Sequence, residues 1–272
     1  MEFKTKLSSA VQQNDTLLCV GLDPVRDNLP DHLKNHGNAF FTFNKAIIDA
    51  TADLICAFKP NSAFYEAEGA DGISQLHDTC RYITDNHPHI PIILDFKRAD
   101  IGSTNQAYSK FAFDYLGVDA ITVHPYLGRD AIQPFLDYKD KGIMILVRTS
   151  NPGSGEFQNL EVDGVKLYLK VAKAVQDSWN ANQNCQLVIG ATYPEELAEI
   201  RKLVGDDMIF LVPGIGAQGG QTDLLRGGFT KNGDGLIISS SRETIYASGG
   251  ENFADAARAK ATELRDQINS YR

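Results

Sequence analysis

Eight short apolar runs, separated by helix-length segments along the whole chain, constrain this sequence more than any other feature. They are Leu17–Leu22, Leu54–Phe58, Pro91–Phe96, Ala120–Val123, Ile143–Val147, Gln186–Ile189, Met208–Val212 and Gly235–Ser239. They are rich in Ile, Val and Leu on both faces, as strands covered on both sides by helices must be. Between and after them, Phe40–Thr51, Gly72–Asn86, Thr104–Leu116, Arg129–Lys141, Val165–Asn182, Pro194–Leu203, a weaker Gln221–Gly227 and Phe253–Tyr271 read as helices. Pro194-Glu195-Glu196 is a good helix start, with proline in the first turn and acids at the positive end of the dipole. Eight β-α units in 272 residues predict an α/β fold, a single (β/α)8 or TIM barrel spanning 1–272. A doubly wound open sheet is the alternative. It usually needs fewer strands, and a glycine-rich fingerprint after the first strand, which is absent here.

In such a barrel the active site lies at the C-terminal ends of the strands, so the residue that ends each run carries information. The third run ends in Asp95-Phe96-Lys97-Arg98-Ala99-Asp100-Ile101-Gly102-Ser103-Thr104. Strand side chains alternate with period 2, so Asp95 and Lys97 point the same way, and Asp100 follows in the turn. Isolated buried charges are costly, and pairing only partly offsets that cost. A charge cluster at the end of a core strand is therefore expected to be used. Asp23 ends the first run and Lys59 the second, so Asp23, Lys59, Asp95, Lys97 and Asp100 alternate in sign. Such an array holds each member ionised. Lys97 is then a proton donor and electrostatic stabiliser rather than a neutral nucleophile. Two lysines among the carboxylates also make a poor metal site.

The loops after the seventh and eighth strands commonly hold phosphate in this architecture. Here they carry Pro213-Gly214-Ile215-Gly216-Ala217-Gln218-Gly219-Gly220 and Ser239-Ser240-Ser241-Arg242. Glycines let backbone N–H groups approach an anion, and Arg242 offers a bidentate fork. His124 either lines the mouth or caps the barrel, and Thr149-Ser150-Asn151-Pro152 reads as a turn. No serine has a His-Asp partner in sequence, which argues against acyl transfer.

The net charge of −9 argues against nucleic acid bound through a broad basic surface. There is no apolar run of membrane-spanning length, and the polar segment from Met1 to Gln13 has no signal-peptide character, so a cytoplasmic protein with no membrane partner is expected. The four cysteines lack metal-ligand spacing and read as buried free thiols.

The pattern Asp95, Lys97, Asp100, Ile101 and Thr104 resembles the signature of the orotidine 5′-phosphate decarboxylase family. Gly21-Leu22-Asp23-Pro24, Phe58-Lys59-Pro60 and the 213–220 segment follow in the family's style and order, so the likeness covers most of the chain. The loop from Val25 to Asn38 and Thr149-Ser150-Asn151-Pro152-Gly153 look like the longer bacterial-type subgroup. Ser239-Ser240-Ser241 stands where some members carry glycine. The resemblance implies decarboxylation of orotidine 5′-monophosphate to UMP, without cofactor or metal, as the last step of de novo pyrimidine synthesis. It implies that Lys97 protonates C6, that Asp95 lies near the departing carboxylate, and that Asp100 completes the array. Asp100 and Thr104 would reach into a neighbouring subunit's site, making a homodimer with shared active sites. Asp23 and Lys59 would contact the ribose, Ser150 and Gln218 the pyrimidine, and Gln218 and Arg242 the phosphate. Related keto-gulonate phosphate decarboxylases bind magnesium and would need an acidic ligand where this chain has Lys59. A non-catalytic nucleotide binder would have no need of three clustered charges.

Overall fold

The computed structural model describes residues 1–214 and 222–272. Its strands are β1 (Leu18–Leu22), β2 (Ala57–Pro60), β3 (Ile93–Arg98), β4 (Ala120–Val123), β5 (Gly142–Arg148), β6 (Cys185–Ile189), β7 (Phe210–Pro213) and β8 (Leu236–Ser240). All pair in parallel, in the order β2-β1-β8-β7-β6-β5-β4-β3. Parallel bridges from Phe58 to Ile92 and from Asn61 to Asp95 bring β2 against β3 and complete the ring. The chain is a (β/α)8 barrel.

Every strand is buried on both faces, which explains the unbroken apolar runs. Successive residues alternate between two clusters. Leu18, Val20 and Leu22 pack outward under the helices, while Cys19 faces inward. The inner cluster takes a residue from each strand: Cys19, Ala57, Ile93, Ala120, Met144, Val188, Leu211 and Ile237. Phe3 and Leu7 of the first helix, Phe3–Asn14, pack onto that cluster and plug the barrel floor. Gly142 makes room for the plug, since a Cβ there would fall 2.6 Å from Phe3 Cδ1.

Several helices differ from expectation. Phe3–Asn14 was not anticipated, because its apolar stripe is only Phe3, Leu7 and Ala10 among polar neighbours. The segment expected as Thr104–Leu116 is an α-helix at Gly102–Ser109 that widens into a π-helical turn at Lys110–Tyr115. The fourth helix is Arg129–Leu136 and stops short of Lys141, two residues after Pro134. The helix expected from Val165 begins at Leu167, because Glu161–Val162 and Val165–Lys166 pair as a small antiparallel hairpin. Cys19, Cys56, Cys80 and Cys185 are buried free thiols, and burial pushes Cys19 up to about 12. Among the described residues, no helix is long and apolar enough to cross a membrane.

Candidate active site

The charge cluster begins with a break in the β3–β4 ladder. Leu94 pairs with Ile121, but the next pairing is Arg98 with Val123, so Asp95, Phe96 and Lys97 stand opposite Thr122 alone. This bulge puts Lys97 at φ 44°, in the left-handed region. A non-glycine residue there costs roughly 1–2 kcal/mol, so the surroundings must hold it. The Thr122 hydroxyl accepts from both the Phe96 N–H (2.9 Å) and the Lys97 N–H (3.0 Å), and donates to Asp95 Oδ1 at 2.9 Å.

Asp95 is the hub of the cluster. Its Oδ2 accepts from Lys59 Nζ at 3.0 Å and its Oδ1 from Lys97 Nζ at 2.5 Å. Lys59 is buried with its side chain 6% exposed, whereas the Lys97 side chain is 50% exposed and stands at the mouth. Burial alone would lower Lys59, but the carboxylates of Asp95 and then Asp23 outweigh it and hold the ammonium above its ordinary value. Burial alone would raise Asp95, but Lys59 and then Lys97 hold it well below the usual carboxylate range. Lys59 and Asp95 thus hold each other in their ionised forms, as alternation of charge predicts for a pair.

Asp23 extends the cluster toward β8. Its Oδ1 accepts from the Asn61 N–H at 3.1 Å and its Oδ2 from the Ser241 hydroxyl at 2.5 Å. Burial raises it, against the pull of Lys59 and Ser241. Gly21 permits this arrangement, since a Cβ there would lie 2.6 Å from Ser241 Oγ. The Tyr65 hydroxyl on the Leu22 carbonyl, and Tyr246 on the Asp23 carbonyl and Val25 N–H, brace the same turn.

Asp100 and Thr104 stand apart. Asp100 is exposed and its Oδ1 accepts from the adjacent Ile101 N–H. Among the described residues it pairs with no lysine, so within one chain Lys97 is paired with Asp95 and not flanked by both acids. Asn105 fixes this turn by accepting from the Asp100 N–H and donating to the carbonyls of Asp100 and Ala131. Thr104 is half-buried in the first turn of the helix that follows. Ile101 between them is 61% exposed.

Ser150 lies after β5 and packs against Gly190, where a Cβ would come within 2.8 Å of the Ser150 backbone nitrogen. Its loop is fastened by a network that sequence reasoning missed. Arg148 is buried, lies 3.6 Å from the Tyr193 ring centroid, and donates to Ser154 Oγ and Gln158 Oε1. Gln158 in turn holds the N–H and hydroxyl of Thr149. Arg242 opens the short helix after β8, exposed and without a side-chain hydrogen bond or ion pair among the described residues. His124 is half-buried at the end of β4. Gln218 and the glycines at 216, 219 and 220 lie outside the described residues. Thr122 was also missed, as was the hydrogen bond from Ser241 to Asp23. A lone polar residue in the buried run Ala120-Ile121-Thr122-Val123 was the available signal for the first.

Geometry of this kind narrows the chemistry, and comparison with known proteins narrows it further. The family model described as orotidine 5′-phosphate decarboxylase / HUMPS matches residues 16–258. The chain belongs to this family. It is 54% identical to the orotidine 5′-phosphate decarboxylase of Cellvibrio japonicus (strain Ueda107) and 52% identical to that of Azoarcus sp. (strain BH72), each alignment covering 100% of both chains. The solved structure of Leishmania donovani OMP decarboxylase superposes with a TM-score of 0.87 at 37% identity, covering 100% of this chain and 98% of that one. The family's decarboxylase branch, rather than its HUMPS branch, is the one these relatives represent.

Proposed function

We propose that this chain decarboxylates orotidine 5′-monophosphate to UMP and CO2, with Lys97 stabilising and then protonating C6. The observation that carries the reading is Asp95 bridging two lysines at the barrel mouth, one buried and fixed, one exposed toward the space a substrate would enter. When the C6–carboxylate bond breaks, the electron pair stays on C6 in the ring plane, where no adjacent carbonyl can delocalise it. Preorganised positive charge is the available means of stabilising it. The Lys97 ammonium supplies that charge and gives its proton to C6, and the neutral amine recovers a proton from solvent. Asp95 crowds the departing carboxylate, but we rank stabilisation of the carbanion above strain on the substrate.

The other roles are those that the family resemblance implies. Asp23 and Lys59 face the ribose, Ser150 the pyrimidine, and Arg242 the phosphate, with Gln218 assigned to pyrimidine and phosphate from its place in the sequence. Asp100 and Thr104 serve the neighbouring subunit of a two-fold homodimer. The exposure of Asp100 supports this, as do the exposed Ile101, Tyr126 and Leu127 in the loops that follow adjacent strands. A lysine at 59, paired to Asp95, is incompatible with the acidic magnesium ligand a keto-gulonate phosphate decarboxylase needs there.

Incubation with orotidine 5′-monophosphate, with and without EDTA, tests the activity. UMP formation unaffected by EDTA is expected. No turnover, or turnover only with added magnesium, overturns the reading. For the shared site, mixing Asp100→Ala and Lys97→Ala proteins should restore activity, because one hybrid site regains both residues. No recovery after confirmed subunit exchange would place each site within a single chain.

A further inference from the structure

We infer that Thr122 is a positioning residue for the reaction: its hydroxyl sets both the Lys97 backbone and the Asp95 carboxylate. The inference rests on the reading of Lys97 as the proton donor. Thr122 is 1% exposed and stands opposite the bulge formed by Asp95, Phe96 and Lys97. A hydroxyl has one hydrogen to donate and two lone pairs to accept. All three are committed here to the same three consecutive residues: donation to Asp95 Oδ1, acceptance from the Phe96 and Lys97 amides. The third contact anchors a residue at φ 44°, where a lysine does not stay by preference. Asp95 Oδ1 is also the atom that receives Lys97 Nζ, so the hydroxyl fixes the donor lysine from both ends.

The arrangement explains why a polar residue sits in an otherwise apolar strand. A β-branched hydrocarbon would fill the same volume and pack equally well. It would leave two amides, that of Phe96 buried and that of Lys97 partly so, without an acceptor and remove one donor from Asp95. The bulge would then relax toward regular strand geometry. Because side chains alternate along a strand, relaxation by one residue swings Lys97 away from the mouth.

The test compares Thr122→Val, which keeps the shape and loses the hydroxyl, with Thr122→Ser, which keeps the hydroxyl. Turnover of orotidine 5′-monophosphate and the Kd of UMP are measured on the full chain, with Lys97→Ala in parallel. Thr122→Val should lower kcat about 100-fold, the scale for a misplaced catalytic group, while UMP affinity stays within about threefold. Thr122→Ser should recover most of the rate. Should the valine protein fail to fold, Thr122→Ser against Thr122→Ala makes the same comparison, because these differ by the hydroxyl alone. Near-wild-type kcat in Thr122→Val overturns the inference, as does equal impairment in Thr122→Ser. So does a loss of UMP affinity as large as the loss in kcat, which would mark general damage to the site. Wild-type turnover by Lys97→Ala would instead bring down the reading of Lys97 beneath it.

Discussion

At the floor of the barrel, Phe3 and Leu7 press into an apolar layer drawn from all eight strands. At the mouth, Lys59, Asp95 and Lys97 hold charge in place with a bulged strand and a left-handed lysine. The floor obeys ordinary packing: regular register, an inner layer of apolar side chains, and a glycine at 142 that exists to seat a phenyl ring. The mouth departs from those rules, and each departure is held by a specific neighbour. The difference teaches where to look for function in a barrel of this kind. Substitutions at the floor should change stability and leave chemistry alone, and substitutions of exposed groups at the mouth should do the reverse.

The largest effect expected is that of Lys97→Ala. Loss of the charge and the proton at C6 should lower kcat by more than about 1,000-fold, at least ~4 kcal/mol of barrier. The melting temperature should change little, because the side chain is half-exposed. Turnover within about tenfold of wild type, or a collapse in stability, breaks the division between mouth and floor.

Lys59→Met is the mixed case, a mouth residue that is buried. It leaves a buried carboxylate short of its main partner, which should destabilise the fold by about 3–5 kcal/mol. The pH dependence gives a second handle. Asp95 is held below its unfolded value, so its stabilising contribution is present above the unfolded value of about 3.9 and is lost as pH falls toward the folded one. Without Lys59, burial is opposed chiefly by Lys97, and the folded value rises. Acid unfolding followed by circular dichroism should therefore begin at higher pH in the variant. An unchanged acid limb would mean that Lys59 does not keep Asp95 ionised.

Much of this contrast was legible beforehand. Strands buried on both faces leave unbroken apolar runs, and all eight were located to within a few residues of their observed bounds. Alternating charges at strand ends pointed to Asp23, Lys59, Asp95 and Lys97, since carboxylates and ammonium groups that must share a desolvated mouth need one another. What stayed hidden was held by contacts between distant segments. Nothing local marks Lys97 as left-handed, because the cause is Thr122 on the next strand. Nothing local marks Arg148 as an anchor either, yet it is buried under Tyr193 and reaches Gln158, ten residues on. The floor plug was missed because its three buried residues lie among exposed polar ones, and only the barrel's open bottom gives them a place to go.

Phe3→Ala tests the floor directly. The ring is 2% exposed, so truncation should cost about 3–5 kcal/mol of stability by transfer and cavity terms, read by denaturant unfolding. At a temperature where both proteins are folded, kcat should match wild type. A matched drop in kcat would mean that the floor sets the geometry of the mouth through the strands, and the two regions could no longer be treated separately.

Arg242→Ala should have the smallest effect and draws the finest distinction, because on the proposed reading it touches the phosphate and not the reacting carbon. If Arg242 grips the phosphate, its binding energy can be used to raise turnover as well as affinity. Its loss should then raise KM and lower kcat/KM by roughly 2–4 kcal/mol, the scale of a lost charge-assisted contact. Orotidine, which lacks the phosphate, should react poorly with the wild type, and Arg242→Ala should barely change that residual rate. Exposure of the side chain means that the fold should not suffer. Equal damage to turnover of both substrates would show that Arg242 acts on the charge cluster and not on phosphate, and the mouth would have to be treated as one electrostatic unit from β1 to β8.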